Sequence, residues 1–309
     1  MQTILGSNGQ IGYELAKELY TNYTKELRLV SRNPKKINPT DQLVPADLMD
    51  YAQAKHAIEG SEIVYFTVGL PMDSELWETN FMQITQNVLK ACEESQSKLV
   101  FFDNTYMYPK DSTPQIEGLA FSPKGIKAVV RSDMANLVLK EMAQNRLEAV
   151  ICRAPEFYGP EKTQSITNTL FLNAIKANKP AKIPVNNHTL RTLIWTPDAS
   201  RAMALIGNTP SAFGQTWHLP CDEPHTYLDM VAIAEELLNR PIKYKTIPLW
   251  QFKLVKPFSK EVRELDELLP RYAVDNLFIS DKFKKAFPDF TITTLEEGLS
   301  QILNEANSK

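Results

Sequence analysis

The fold of this chain is decided by one stretch near its start, Gly6-Ser7-Asn8-Gly9-Gln10-Ile11-Gly12. The stretch follows an apolar run and opens an amphipathic one, so it sits between a predicted strand and a predicted helix. In that setting the first glycine permits a tight turn, the second lets a pyrophosphate approach, and the third lets the helix pack closely. The amides at the helix start then face the phosphates with the positive end of the helix dipole. All seven residues are therefore candidate contacts of a dinucleotide, with a purely structural glycine turn as the alternative.

Short apolar runs alternate with amphipathic stretches through the first half of the chain, which predicts βαβ units and a parallel sheet. The predicted strands are Thr3–Leu5, Leu27–Ser31, Gln42–Pro45, Glu62–Val68, Lys98–Asp103 and Leu147–Cys152. The predicted helices are Gln10–Tyr20, Ala52–Ile58 with Asp50 as its cap, Ser74 to about Glu94, and Ala128–Ala143. We therefore predict an α/β fold, a Rossmann doubly wound parallel sheet, with residues 1–153 as the dinucleotide-binding domain.

The alternation loosens after residue 153, where prolines become more frequent. Helical patterns cover Ile166–Ala177, Tyr227–Leu238 and Thr294–Asn307, and a strand-like piece covers Gln215–Leu219. We predict that residues 154–309 form mainly a smaller substrate lobe, interleaved with the last strands of the sheet.

The end of the second predicted strand bears on the choice between NAD and NADP. It reads Leu29-Val30-Ser31-Arg32 and lacks the carboxylate that usually binds the ribose 2′-hydroxyl of NAD. Ser31 can donate a hydrogen bond, and the charged fork of Arg32 suits a 2′-phosphate. We therefore predict NADP as the preferred cofactor, with a solvated loop cation as the alternative for Arg32. Asp47, followed by Leu48, is placed either to contact the adenine amino group or to cap a turn.

Composition limits the other partners. A formal net charge of −3 gives no electrostatic reason to expect nucleic acid or an anionic membrane. No leader-like segment is recognised, and no apolar run approaches the ~18 residues needed to span a bilayer. The three scattered cysteines predict buried thiols of a reducing compartment, and the four histidines lack metal-ligand spacing. We expect a cytoplasmic protein without a metal site.

Over nearly its whole length the chain resembles the extended short-chain dehydrogenase/reductase superfamily, in particular the NAD-dependent epimerase/dehydratase group. Besides the glycine loop, the resemblance rests on Ala46-Asp47-Leu48, VYFTVG at residues 64–69, RAPEFYGP at residues 153–160 and WTPDASRA at residues 195–202. It implies that Thr67, Val68 and Gly69 run along the adenosine. It also implies an epimerase, dehydratase or reductase acting on a small carbonyl, alcohol or sugar-derived substrate. A homodimer through the helix that contains Trp77 is left open, although its apolar spacing predicts chiefly a core face.

The catalytic set of the resembled family is replaced here. The resemblance implies a Ser/Thr, Tyr and Lys set, but Asn104 fills the Ser/Thr position and no Tyr-x-x-x-Lys follows. Lys127 and Arg131 have the same spacing instead, so they share one helix face. Arg131 can hold a ribose hydroxyl or a phosphate, and Lys127 could serve as a general acid if burial and the Arg131 cation favour release of its proton. The alternatives are an anion contact without proton transfer and a solvated helix face.

Tyr106, at a predicted strand end, is a second candidate for the missing tyrosine hydroxyl, with a packed aromatic ring as the alternative. The leading hypothesis is therefore an NAD(P)-binding, epimerase/dehydratase-like oxidoreductase with an atypical active site. The alternative is a catalytically inactive NADP(H)-binding sensor or regulatory protein. The predicted substrate lobe has too few clustered cations to indicate a nucleotide diphosphate sugar.

Overall fold

The computed structural model describes residues 1–160 and 163–304. Its strands, in chain order, are β1 Gln2–Leu5, β2 Leu27–Ser31, β3 Gln42–Pro45, β4 Ile63–Phe66, β5 Lys98–Asp103, β6 Ala149–Arg153, β7 Glu156–Tyr158, β8 Ala181–Pro184, β9 Leu193–Trp195, β10 Thr216–His218 and β11 Tyr244–Ile247. Its α-helices are α1 Gln10–Asn22, α2 Tyr51–Ile58, α3 Ser74–Ser95, α4 Ile126–Ala143, α5 Asn173–Lys176, α6 Thr196–Gly207, α7 Tyr227–Leu238, α8 Leu249–Val255, α9 Lys260–Leu265, α10 Asp281–Ala286 and α11 Leu295–Asn304. A π-helical turn, Thr167–Leu172, precedes α5, and short 3₁₀ turns lie at Pro210–Ala212 and Leu269–Tyr272.

Seven of these strands form a parallel sheet in the order β10-β6-β5-β4-β1-β2-β3. The predicted α/β fold with a doubly wound parallel sheet is therefore confirmed. The strand order reverses at β1, whose neighbours in the sheet are β2 and β4. Leu5 of β1 pairs with both Val30 and Phe66, so the carboxyl ends of these three strands lie at the same level. In sheets of this kind, ligands bind at the carboxyl ends of the strands beside such a reversal.

The central strands of the sheet could be predicted from the sequence because their side chains are buried. Every residue of β1 and β4 is buried, as expected for strands covered by helices on both faces. The long helix α3 places Trp77, Phe81 and Val88 in the core beside the sheet, which is the core face predicted for it.

Most predicted element bounds agree with the structure to within three residues, and Asp50 caps α2 by accepting a hydrogen bond from the Gln53 amide. The helix predicted over residues 166–177 is instead a π-helical turn followed by the short α5. The predicted C-terminal helix is observed as α11, and its last three predicted residues, 305–307, lie outside the described residues. The described residues contain no helix that is both long and apolar enough to span a membrane.

The chain divides into two compact units that alternate along the sequence. Unit 1 contains Met1–Met107, Pro123–Ala154 and Ala199–Leu219. Unit 2 contains Tyr108–Ser122 and the described residues of Pro155–Asp198 and Pro220–Lys309. Unit 1 contains the whole seven-stranded sheet, because β10, which follows a long part of unit 2 in the chain, pairs with β6. A domain boundary between residues 153 and 154 stays a prediction.

Unit 2 has its own apolar core and two small parallel sheets, β8 with β11 and β7 with β9. Tyr158 lies on Trp195 with the ring centroids 5.2 Å apart, and Phe171 meets Tyr227 edge to face at 5.3 Å. The N-terminus of α7 is closed by a capping box of Thr226 and Asp229.

Candidate functional site

The glycine loop of unit 1 has the geometry that its sequence predicts. Gly6 has φ +86°, and a Cβ there would lie 2.8 Å from the carbonyl oxygen of Thr67. A Cβ on Gly12 would lie 2.7 Å from the Gly6 oxygen and 2.8 Å from the Ser7 Cα. Since these contacts are to backbone atoms, the turn at Gly6 and the packing of α1 at Gly12 both require glycine.

Gly9 is less tightly enclosed than Gly6 and Gly12, because a Cβ there would press on a single backbone oxygen. It precedes α1 in an extended conformation, and a Cβ would meet the Gly6 oxygen at 3.3 Å and otherwise nothing closer than 4.0 Å. No side chain caps the N-terminus of α1, whereas side chains cap α2, α3 and α7. The amides of the first turn of α1 therefore form a cradle of the kind that binds a phosphate, and the pyrophosphate of a dinucleotide fits it.

Asn8 joins this loop to the residues after β2. Its amide nitrogen donates to Ser31 Oγ at 3.1 Å and to the Asn33 oxygen at 2.7 Å, and its side-chain oxygen accepts from the Lys35 amide at 3.1 Å. Arg32, Lys35 and Lys36 are exposed beside this link, and no carboxylate occurs between residues 31 and 36. The loop after β2 is thus basic and is held against the glycine loop. Sequence reasoning identified Arg32 but missed the two lysines, although all three cations lie within five residues.

The other candidate adenosine contacts lie at the ends of β3 and β4. Asp47 is exposed, and its Oδ1 accepts from the Met49 amide at 3.0 Å, which is the turn-capping role. Leu48 is buried in the core. Thr67 donates its hydroxyl to the Leu5 oxygen at 2.8 Å and so ties the end of β4 to β1, while a Cβ on Gly69 would meet open space. Their contacts to a cofactor stay predictions.

Arg131 lies in a buried ion-pair cluster at the carboxyl end of β5. Asp103 Oδ1 accepts from Arg131 Nε at 3.1 Å and from Nη2 at 2.7 Å, and Asp103 Oδ2 accepts from Arg153 Nε at 3.0 Å. The exposed fractions are 0% for Asp103, 4% for Arg131 and 1% for Arg153. Neither Asp103 nor Arg153 was singled out as a site residue from the sequence, although Arg153 belongs to the stretch that carries the family resemblance. A ribose or phosphate contact of Arg131 stays a prediction, and it would have to coexist with this pairing.

Lys127 lies one turn before Arg131 on α4 and is fully buried. Its Nζ donates to Oγ of Ser74, the first residue of α3, at 2.8 Å. The solvated-face alternative for Lys127 and Arg131 is therefore wrong, because both side chains point into the protein. Ser74 is half-buried and was not singled out from the sequence, since it lies 53 residues from Lys127.

Asn104 and Tyr106 follow β5 in a tight turn. The side-chain oxygen of Asn104 accepts from the Tyr106 amide at 3.0 Å. The Tyr106 ring is stacked on Trp77, with the centroids 6.0 Å apart and an interplanar angle of 9°. Both side chains therefore have local structural roles, and their catalytic roles stay predictions.

Unit 2 contains a separate buried charge network. Glu156 accepts from Thr167 Oγ1 at 2.7 Å, Tyr272 Oη at 2.8 Å and Arg191 Nη2 at 2.9 Å. Burial alone would raise the pKa of Glu156, but the Arg191 guanidinium and the two hydroxyls outweigh it and hold the pKa below its usual value. Arg191, 1% exposed, is thus paired internally. His188, in contrast, is exposed on a loop.

Comparison with known proteins also indicates a family that uses a nicotinamide dinucleotide. The sequence profile of the NAD dependent epimerase/dehydratase family matches residues 3–219. A search of curated protein sequences finds none that matches the chain.

Solved structures resemble the whole chain. A UDP-glucuronic acid 4-epimerase from Bacillus cereus, in complex with UDP-glucuronic acid and NAD, has a TM-score of 0.81 at 17% identity over 100% of this chain and 99% of that one. A UDP-glucose 4-epimerase from Thermus thermophilus, complexed with NAD, has a TM-score of 0.77 at 15% identity over 99% of both chains. A dTDP-glucose 4,6-dehydratase from Streptomyces venezuelae with NAD bound has a TM-score of 0.79 at 14% identity over 100% and 98%. These likenesses establish the fold.

Proposed function

Because the chain belongs to the NAD dependent epimerase/dehydratase family, a family of enzymes, we propose that it is an NADP(H)-dependent epimerase, dehydratase or reductase with an atypical catalytic set. Its substrate is a small carbonyl, alcohol or sugar-derived compound. The observation that carries the proposal is the uncapped N-terminus of α1, preceded by the glycine loop and linked through Asn8 to the basic loop after β2. The family resemblance stated from the sequence is confirmed.

Two questions concern the cofactor: whether the chain binds a nicotinamide dinucleotide, and whether it prefers NADP to NAD. A nicotinamide dinucleotide is supported by the family match and by NAD in the similar structures. The preference for NADP is our inference from Arg32, Lys35 and Lys36, three exposed cations where NAD-binding proteins usually carry a carboxylate. A 2′-phosphate there would meet complementary charge, and Arg32 could bind it through two parallel hydrogen bonds.

The catalytic proposal assigns proton transfer to Lys127 and Ser74. When bound, the nicotinamide ring supplies or accepts a hydride. Ser74 can donate and accept at the same oxygen, so it can give its proton to a substrate oxygen while it takes one from the Lys127 ammonium. Lys127 is then left neutral, and because it is fully buried it regains its proton through the half-buried Ser74 hydroxyl, which takes one from water. Ser74 lies half-buried beside fully buried Lys127, which supports this order.

A cytoplasmic location and a homodimer belong to the same proposal. Cys92, Cys152 and Cys221 are buried thiols, as predicted, which supports a reducing compartment. Burial raises the pKa of each, so these thiols are unreactive. The apolar face of α3 is already used in the core of unit 1, so a dimer would have to form through other residues.

The second candidate function is an NADP(H)-binding sensor without turnover. The pairing of Arg131 with Asp103 favours it, because this engages the group that would replace the family lysine. Internal pairing of Arg191 in unit 2 likewise leaves one cation fewer for a sugar nucleotide diphosphate.

The test is turnover on a substrate panel. The protein is incubated with NADP+ and each of UDP-glucose, UDP-glucuronic acid and dTDP-glucose, which must first give up a hydride, and with NADPH and each of a set of small ketones and aldehydes, which must accept one. NADPH absorbance and NMR of the products then report hydride transfer and epimerisation. We expect turnover of one compound class, reduced strongly in Ser74→Ala and retained in Thr79→Ala, an exposed position on the same helix. Tight NADPH binding without turnover of any compound would contradict the enzyme proposal and favour the sensor.

A further inference from the structure

Segment 241–260 of unit 2 differs from the rest of the chain in both charge and exposure. It contains five lysines, at positions 243, 245, 253, 256 and 260, and no aspartate or glutamate, although the whole chain has a net charge of −3. Five of the eleven large apolar side chains exposed within the described residues lie in it, namely Tyr244, Trp250, Leu254, Val255 and Phe258. We call these twenty residues the basic-apolar segment.

Helix α8 presents its apolar side chains in two opposite directions. Phe252 points into the protein and is only 8% exposed. Trp250 and Leu254, four residues apart and therefore on one face, are 59% and 64% exposed. Phe258 lies in the turn between α8 and α9 and is 89% exposed. Water-facing side chains of this size at three such positions are unusual when no partner covers them.

The turn that carries Phe258 is held by several contacts. The Phe258 amide donates to the Val255 oxygen at 2.9 Å, and Arg263 Nη1 donates to the Pro257 oxygen at 3.2 Å. Lys256 pairs with Asp266 at 2.6 Å across the turn. The apolar side chains are thus presented on an ordered helix–turn–helix and not on an irregular coil.

We propose that the basic-apolar segment docks unit 2 on an anionic lipid surface. Trp250, Leu254 and Phe258 would enter the boundary between headgroups and acyl chains, where tryptophan and phenylalanine side chains are favoured. Carboxylates follow the segment at positions 261, 264, 266 and 267, and Lys256 is paired with Asp266, so the lysines outside that pair would carry the charge that meets the anionic headgroups. The aliphatic Leu254 and Val255 favour lipid over nucleic acid, which would be bound through aromatic stacking.

This proposal is independent of the proposed enzymatic function. The net charge of the chain gave no reason to expect a membrane, because it averages a basic segment with acidic residues elsewhere. Docking of this kind is peripheral and reversible, and it weakens as salt screens the lysines.

The experiment uses the full chain and vesicles of pure phosphatidylcholine or of equal parts phosphatidylcholine and phosphatidylserine. Trp250 is a built-in probe, because Trp77, Trp195 and Trp217 are each only 5% exposed. With phosphatidylserine at low salt, we expect the protein to sediment with the vesicles. Tryptophan emission should shift to the blue, and quenching by iodide should fall. With phosphatidylcholine alone, the protein should stay in the supernatant.

Variants separate the segment from non-specific binding. The double variants Trp250→Ser/Phe258→Ser and Lys253→Gln/Lys260→Gln should each weaken sedimentation about tenfold or more. The controls Leu43→Ser and Lys90→Gln/Lys140→Gln, which change exposed apolar and basic side chains of unit 1, should bind as the wild type does. Equal binding of the segment variants and the wild type would overturn the proposal, as would no sedimentation with phosphatidylserine. A vesicle-free dimer that Trp250→Ser/Phe258→Ser dissociates would also overturn it, because the segment would then be a self-association surface.

Discussion

Replacement of Lys127 by methionine lowers kcat/KM about a hundred- to ten-thousand-fold on the compound class that the substrate panel identifies, because a positioned proton donor contributes roughly that factor. Methionine fills much of the same volume and removes the ammonium group, so the fully buried site loses its charge and its hydrogen bond to Ser74. The measurement is the initial rate of NADPH consumption or product formation, taken together with the dissociation constant for NADPH. The rate should fall while the affinity for NADPH changes little.

Two companion variants separate chemistry from folding. Lys140→Met changes an exposed lysine of the same helix and should keep wild-type activity. Ser74→Thr keeps a hydroxyl and should restore much of the activity that Ser74→Ala loses. Full activity of Lys127→Met with an unchanged pH profile would remove Lys127 from the mechanism and return attention to Tyr106.

Replacement of Asp103 by asparagine lowers the free energy of unfolding by roughly 3–5 kcal/mol, the usual cost of leaving a buried charge without its partner. Asp103 accepts from both Arg131 and Arg153, so its loss affects the joined ends of β5 and β6 together with α4. Urea unfolding followed by circular dichroism measures the change. Asp133→Asn, at an exposed position of α4, should change the stability by no more than about 0.5 kcal/mol. A loss below about 1 kcal/mol in Asp103→Asn would mean that the cluster does not hold these elements together.

The fold was predictable from the sequence where local patterns carry the information. The glycines at positions 6, 9 and 12 set the first turn and helix, and the apolar residues of β4 together with the Ile4-Leu5 pair of β1 indicated buried strands. Some bounds were wrong by a residue or more where strand pairing decides them. β4 was predicted to reach Val68, but it pairs with β1 only as far as Phe66, because β1 ends at Leu5 and Gly6 turns the chain with φ +86°.

The candidate site was predictable only in part, since its contacts join residues far apart in the sequence. The helix-face argument correctly placed Lys127 and Arg131 together, but their partners Ser74 and Asp103 come from α3 and β5, 53 and 28 residues away. Spacing along one helix cannot identify such partners. The outward-facing apolar residues of α8 were not predicted either. An apolar pattern normally indicates burial, so the sequence gives no sign that these side chains face water.

The central claim is that unit 1 binds a nicotinamide dinucleotide and prefers NADP(H), and thermal unfolding with NADPH, with NADH and without ligand tests it most directly. A ligand at 100 times its dissociation constant adds roughly 2.7 kcal/mol of stability. At equal concentrations, the account predicts a clear upward shift of the unfolding temperature with NADPH and a smaller one with NADH. In Arg32→Ser the two shifts should become similar. A larger shift with NADH than with NADPH would contradict the preference, and no shift with either nucleotide would contradict the claim itself.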